Sequence, residues 1–323
     1  MARIKIKTQS KKRRETKGML FVTLLFFILF PYIISGFSKV EKQSITLEAE
    51  PGRIWVLEEK IWGGRKIPLE EYLIGMVAAT IPAEYTLETL KAQAIILRSF
   101  SVTYMEKEEG KKIIKDRFLR EYYLSEQNCE QLWSESAGEH LQKIKQAVEE
   151  TKGIVMVCEG DIIKPPFCRM TNGSTRDITE YVVHKELYDY MKSVSCKEDE
   201  MAEDAVQYVE MTQKEFEETI RKKLGVEDKN LDKVTIYKDS LNYVKTVEIG
   251  EAQFDGEEFR KAFGLNSSSY SLEKINNNIE IQTRGIGHGY GFSQHTANER
   301  AKNGNNYKDL LTYFFSNISL EKI

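Results

Sequence analysis

Apolar and polar positions follow different periods along this chain, and each period predicts a different element. Leu69, Tyr72, Leu73, Met76 and Val77 recur at i, i+3, i+4 spacing, which predicts an amphipathic helix with Pro68 suited to its first turn. Thr86 is placed to cap a second helix running through LETLKAQAIILRSFSVTYMEK, whose alanines permit close packing. The connection TIPAEY between them must turn sharply at Pro82, and short polar connections on rigid flanks are common seats of chemistry. RIWVLEEKIW reads as strand material broken by Gly63 and Gly64, while the charged stretch from Gly110 to Trp133 predicts irregular structure. GEHLQKIKQAVEETKG predicts a third helix closed at Gly153 by a left-handed cap. IVMVC and IIKPPFC read as two strands around the turn EGD, followed by the polar loop RMTNGSTRD. From Tyr188 to Asp239 the pattern is mixed, and the acidic patch CKEDEMAED is expected to be mobile. KVTIY, YVKTVEIG and IEIQTRG alternate with period two, as half-buried strands do.

One stretch carries no charge at all. Met19 to Phe37 is near the length needed to cross a bilayer as a helix, and eight cations precede it against Lys39 and Lys42 just after. Its length, Pro31 near its end and the missing A-x-A pattern favour an uncleaved anchor over a cleaved secretory signal. The expected organisation is a basic cytoplasmic tail at 1–18, a transmembrane anchor at 19–37, a tether at 38–50 and one domain at 51–320. The expected fold class is α+β: a single N-terminal transmembrane helix, then one extracytoplasmic domain with a helix pair packed beside mixed β-sheet segments. The expected location is the cell membrane, single-pass, with the N-terminus in the cytoplasm.

At 41% hydrophobic and 30% charged residues, the chain can bury a substantial core. The basic start means that the formal net charge of −3 conceals a strongly acidic remainder, which argues against nucleic acid as a partner. Cys129, Cys158, Cys168 and Cys196 show no zinc-ribbon spacing, and His140, His184, His288 and His295 form no H-x-x-x-H pair. No metal or cofactor is therefore expected. Free thiols are expected, with a Cys158–Cys168 cross-strand contact as the alternative.

The most specific stretch is GIGHGYGFSQHTANERAKNG, in which Gly285, Gly287, Gly289 and Gly291 alternate with His288 and Tyr290 before a helix that starts near Ser293 and stops at Gly304. Such glycines admit unusual dihedrals or a close ligand, and Ser293 can cap the helix that follows, so both uses suit a cleft wall. A tight structural turn explains the same residues. Extended to GIGHGYGFSQHTANERAKNGNNYKDLLTYFF, the segment is similar to the C-terminal signature of the stage II sporulation protein D family, also called the amidase-enhancer LytB family. IPLEEYLIGMVAATIPAEYTLETLKAQAIILRSF resembles that family's N-terminal signature, and AVEETKGIVMVCEGDIIKPPFCRMTNGSTRD and YMKSVSC lie in order between them.

The resemblance implies a protein of spore engulfment that faces outward and acts on peptidoglycan. Active members are lytic transglycosylases that cut glycan strands stripped of peptide, and they work with a cell-wall amidase and a membrane scaffold protein. Cutting needs one carboxylic acid held protonated in an apolar setting, because the sugar's own 6-hydroxyl replaces water as nucleophile. Aligned on Pro82, the family's glutamate falls at Thr80, whose hydroxyl cannot act as a general acid near neutral pH. Three readings follow: a glycan-gripping or scaffolding member that does not cut; a transglycosylase using Glu84, Glu70 or Glu71; or a different activity, such as amidase enhancement by protein contact, on the same fold. By resemblance, the cleft would also hold Arg98, Thr171, Asn172, His288, Ser293 and Gln294, with Tyr85 or Tyr290 as a stacking ring.

Overall fold

A computed structural model of the chain describes residues 53–58, 65–108, 111–181, 188–227, 231 and 233–323, and all of these belong to one compact unit. In chain order the first elements are β1 (Ile54–Leu57), β2 (Lys66–Pro68), α1 (Leu69–Thr80), α2 (Leu87–Val102), β3 (Glu106–Glu108) and β4 (Lys111–Lys115). Next come α3 (Glu126–Trp133), α4 (Ala137–Glu150), β5 (Ile154–Cys158), β6 (Asp161–Ile162), β7 (Phe167–Cys168) and the short α5 (Lys197–Glu200). A third group comprises β8 (Val206–Thr212), α6 (Gln213–Thr219), β9 (Val234–Lys238), β10 (Val244–Ile249), β11 (Ala252–Asp255) and α7 (Gly256–Phe263). The chain ends with β12 (Ser269–Ile275), β13 (Asn278–Arg284), β14 (Phe292–Ser293), α8 (Gln294–Lys302), α9 (Tyr307–Phe314) and β15 (Ser319–Lys322).

These findings correct the expected architecture. The chain is mixed α and β, but among the described residues no helix is long and apolar enough to cross a membrane. Segment 19–37, on which the transmembrane expectation rests, lies outside the described residues. The helix pair α1 and α2 is present, but α4 completes a three-helix layer with it. The strands divide into small sheets ordered β2-β1-β4-β3, β15-β5-β6, β12-β13-β8 and β11-β10-β9, with a parallel β7-β14 pair.

Helix α2 is the central element because it is apolar on two faces. Leu90, Ala94 and Leu97 pack with Tyr72, Leu73 and Met76 of α1 and with Ile144 and Val148 of α4. Ala92, Ile95 and Ile96 face a second core containing Met156 of β5, Phe292 of β14 and Leu310, Leu311 and Phe314 of α9. Each buried Leu or Ile here contributes roughly 1.5–3 kcal/mol. A third core, with Phe216, Phe259, Tyr270 and Ile281, holds the β8–β13 region together.

Local signals in the sequence work as physical chemistry requires. The Thr86 side chain accepts from the Thr89 N–H at 3.3 Å, capping α2. Helix α2 ends at Val102, earlier than its pattern suggests, because the next residues enter β3. The stretch expected to be irregular contains β4 and α3, with Ser125 capping α3 through the Asn128 N–H. The four cysteines are free thiols. Phe167–Cys168 does not close a hairpin with β5; it pairs in parallel with Phe292–Ser293, which seats the glycine motif beside it.

Candidate functional site

Helix α1 ends at Thr80, where the backbone turns extended at Ile81 and then bends through Pro82, with the Tyr85 N–H returning to the Pro82 carbonyl at 3.2 Å. Two contacts from more than 200 residues away pin this turn. Gln294 Nε2 donates to the Thr80 carbonyl at 2.7 Å, and the Thr86 N–H donates to Asn298 Oδ1 at 2.9 Å. The N- and C-terminal motifs therefore meet at one place. Between them lies an open groove of about 490 Å³, walled by the end of α1 and the Ile81–Glu84 turn, by Leu132 and Trp133 of α3, and by Phe167, Arg169, Ile286 and Gln294. Gly287 has φ +112° and Gly291 φ +69°, and a Cβ at either would collide with Cys168 or Pro166, so glycine is what lets the motif lie against β7.

Thr80 faces this groove with its hydroxyl already committed. Oγ1 donates to the Met76 carbonyl one turn back at 2.8 Å and accepts from Gln93 Nε2 at 3.2 Å. Gln93 is fully buried, and its Oε1 has no partner among the described residues. Glu84 lines the same groove and is exposed. Tyr85 is buried with its hydroxyl unpartnered among the described residues; the Arg169 guanidinium lies 5.1 Å from its ring centre. Burial raises the Tyr85 phenol above its ordinary range, against the opposing effect of Arg169.

The other residues expected in the cleft lie elsewhere. Arg98 is fully buried and doubly bonded to Glu70, at 2.9 and 2.6 Å, with further donations to the carbonyls of Ile154 and Val148. Thr171 and Ser293 each donate a hydroxyl to Asp199 Oδ2 at 2.7 Å, and Ser293 also caps α8. The Asn172 amide donates to the Leu241 carbonyl and Ser269 Oγ, at 2.8 and 3.0 Å. Thr171 and Asn172 border a separate cavity of about 80 Å³ with Glu200 and Arg284. Tyr290 stands against the buried Arg176, whose guanidinium also touches the rings of Tyr181 and Tyr243, at 4.6, 4.4 and 5.1 Å respectively. Burial raises the Tyr290 phenol as well. Thus Thr80, Glu84 and Gln294 are brought together, Tyr85 sits beside them, and the rest build the scaffold.

Asp199 is the residue that sequence reasoning missed. It lies in the acidic patch expected to be mobile, yet it is fully buried and collects donors from the Thr171 N–H and hydroxyl, Ser293, Thr296 and His295, at 2.7 to 3.2 Å. A single acid in a run of acids gives no local hint of burial. Trp133 and Arg169 were also missed, the first because it ends a charged segment and the second because it opens a polar loop. Among the described residues, no three His, Cys, Asp or Glu side chains gather to hold a metal ion.

His288 accepts the Tyr290 N–H on Nδ1 at 3.0 Å, so that nitrogen carries the lone pair. Burial pushes the imidazole down to about 4, aided by Arg260 and Arg176 and opposed by Glu257. The unfolded chain then binds this proton first as pH falls, so the contribution is intact above about pH 6.5 and is lost progressively toward pH 4. Denaturant titrations at pH 7 and pH 4.5 should show a loss of about 2 kcal/mol that is smaller in a His288→Gln variant. An equal loss in both proteins would remove His288 as its source.

A family model described as stage II sporulation protein matches residues 58–158, which hold α1, the Thr80 turn, α2, α4 and β5. The chain is 31% identical over 290 residues to stage II sporulation protein D of Bacillus subtilis (strain 168), covering 87% of this chain and 82% of the relative. It is 27% identical over 282 residues to stage II sporulation protein D of Bacillus amyloliquefaciens, covering 86% and 81%. A third similarity, 22% over 274 residues, is to an uncharacterized protein of Brachyspira hyodysenteriae, covering 79% of this chain and 67% of that protein.

Proposed function

Because the chain belongs to the stage II sporulation protein D family, and is thereby a sporulation protein, we propose that its groove grips peptidoglycan glycan strands without cutting them. The observation that carries this reading is Thr80. It stands in the groove where the family resemblance calls for an acid, and its hydroxyl is bonded to its own helix. Two of the replacement acids are occupied elsewhere. Glu70 is bound by Arg98 and the Gly153 N–H, and Glu71 is an exposed partner of Arg65 at 4.0 Å. An open groove with an aromatic ring, apolar walls and a few polar groups suits a sugar chain. Strands stripped of peptide are the product of an amidase, so this reading includes a cell-wall amidase and its scaffold as working partners, outside the cytoplasm.

A second reading has one observation in its favour. Glu84 lines the same groove as Thr80 and accepts no hydrogen bond among the described residues, so a strand bound there would lie within reach of a carboxyl. Incubating the full-length chain with denuded glycan strands separates the two. Retention of strands with no release of 1,6-anhydro ends is the expected result. Anhydro ends that disappear in a Glu84→Gln variant would establish the second reading instead, and failure to retain strands at all would overturn both.

A further inference from the structure

Arg169 presents an unanswered cation to the groove. It follows β7, and its backbone carbonyl is held by the His295 N–H at 3.1 Å. Its side chain is half-buried, lines the groove and lies over Tyr85. Among the described residues this guanidinium has no carboxylate partner and makes no side-chain hydrogen bond. By contrast, Arg98, Arg176, Arg260 and Arg300 each reach a carboxylate, within 2.6 to 3.8 Å. Beside it, the buried Tyr85 hydroxyl likewise has no partner among the described residues. A planar fork of N–H donors on a partly dehydrated surface is suited to a carboxylate, which it can bind bidentately.

Other walls of the groove supply the complementary surface. Trp133, held edge-on by His140 at 5.2 Å between ring centres, and Leu132, 56% exposed, offer apolar surface to the same space. A ligand that satisfies both features has an apolar sugar face and one carboxylate. N-acetylmuramic acid has this form only when its lactyl group is free of peptide, because the attached peptide turns the carboxylate into a neutral amide. We propose that Arg169 recognises the lactyl carboxylate of peptide-stripped muramic acid while Trp133 stacks on the sugar; this rests on the glycan-gripping reading above. Glu84, in the same groove, opposes the anion and limits the gain to one well-placed contact.

The test uses the full-length chain and three probes: denuded glycan strands, the same strands with lactyl carboxylates converted to methylamides, and chitohexaose. Denuded strands should bind about tenfold more tightly than the methylamide form, the increment of one charge-assisted contact. High salt should narrow that ratio. Arg169→Gln should collapse it toward one, and Trp133→Ala should weaken all three probes. Equal binding of free and amidated strands by the unmodified chain, a comparison that needs no variant, would overturn the inference and leave the glycan reading standing. So would an Arg169→Gln variant that keeps the preference. Binding of none of the probes would overturn the glycan reading itself.

Discussion

A Thr80→Glu variant is expected to release 1,6-anhydro ends from denuded glycan strands at least about a hundredfold faster than the unmodified chain, the lower end of what a placed general acid supplies. Three features of the site would keep such an acid protonated. Ala78, Ile81, Phe167 and Ile286 give it an apolar setting that penalises the carboxylate. It would stand at the C-terminus of α1, where the helix dipole disfavours negative charge. Gln93 now turns its Nε2 to position 80, and a turn of its amide would bring round Oε1, which has no partner among the described residues, to accept the O–H of a neutral carboxylic acid. Bonding to the neutral form raises a pKa further. The Gln294 contact to the Thr80 backbone would remain, because it uses the carbonyl and not the side chain. Mass spectrometry of the product ends checks the result, because an anhydro end is lighter than a hydrolysed reducing end by one water. A folded Thr80→Glu protein that still retains strands and releases no anhydro ends would show that the groove no longer places a glycosidic oxygen near this position.

The second large effect is on stability. Asp199→Ala should cost about 3–5 kcal/mol, because it removes a fully buried carboxylate and strands donors from Thr171, Ser293, Thr296 and His295 together. For a chain of this size the melting temperature should fall by on the order of 10 °C. The loss should be local as well as global, since these donors fasten the polar loop and the start of α8 to each other. Amide exchange across residues 285–298 should rise, and strand retention should fall with it. Asp199→Asn keeps the shape but replaces one acceptor with a donor, so it should lie between the two. A shift of less than about 2 °C in the alanine variant would mean that the cluster reorganises around water without cost.

Much of the fold was legible because its signals are short-range. The i, i+3, i+4 pattern from Leu69 to Val77, the Thr86 cap and the turn at Gly153 act within one or two helical turns, and each sits where its residues demand. The vacancy at Thr80 was legible too, since a missing carboxyl is a matter of residue type. What a local pattern cannot carry is pairing across the chain. Arg98 looked like a cleft residue until α1 and β5 closed over it, because burial of a guanidinium depends on Glu70 and two carbonyls arriving from elsewhere. Asp199 is one acid among several until five donors converge on it. The sequence by itself determined helices α1, α2, α4 and α8, the caps at Thr86 and Ser293, the family and the absence of an acid at position 80, while α3 came from a stretch whose pattern read as irregular. Only the tertiary structure decided that Gln294 meets Thr80, that Trp133 and Arg169 share its groove, and that Thr171 and Ser293 serve the scaffold, because these contacts close loops of tens to hundreds of residues whose ends carry no local trace of each other.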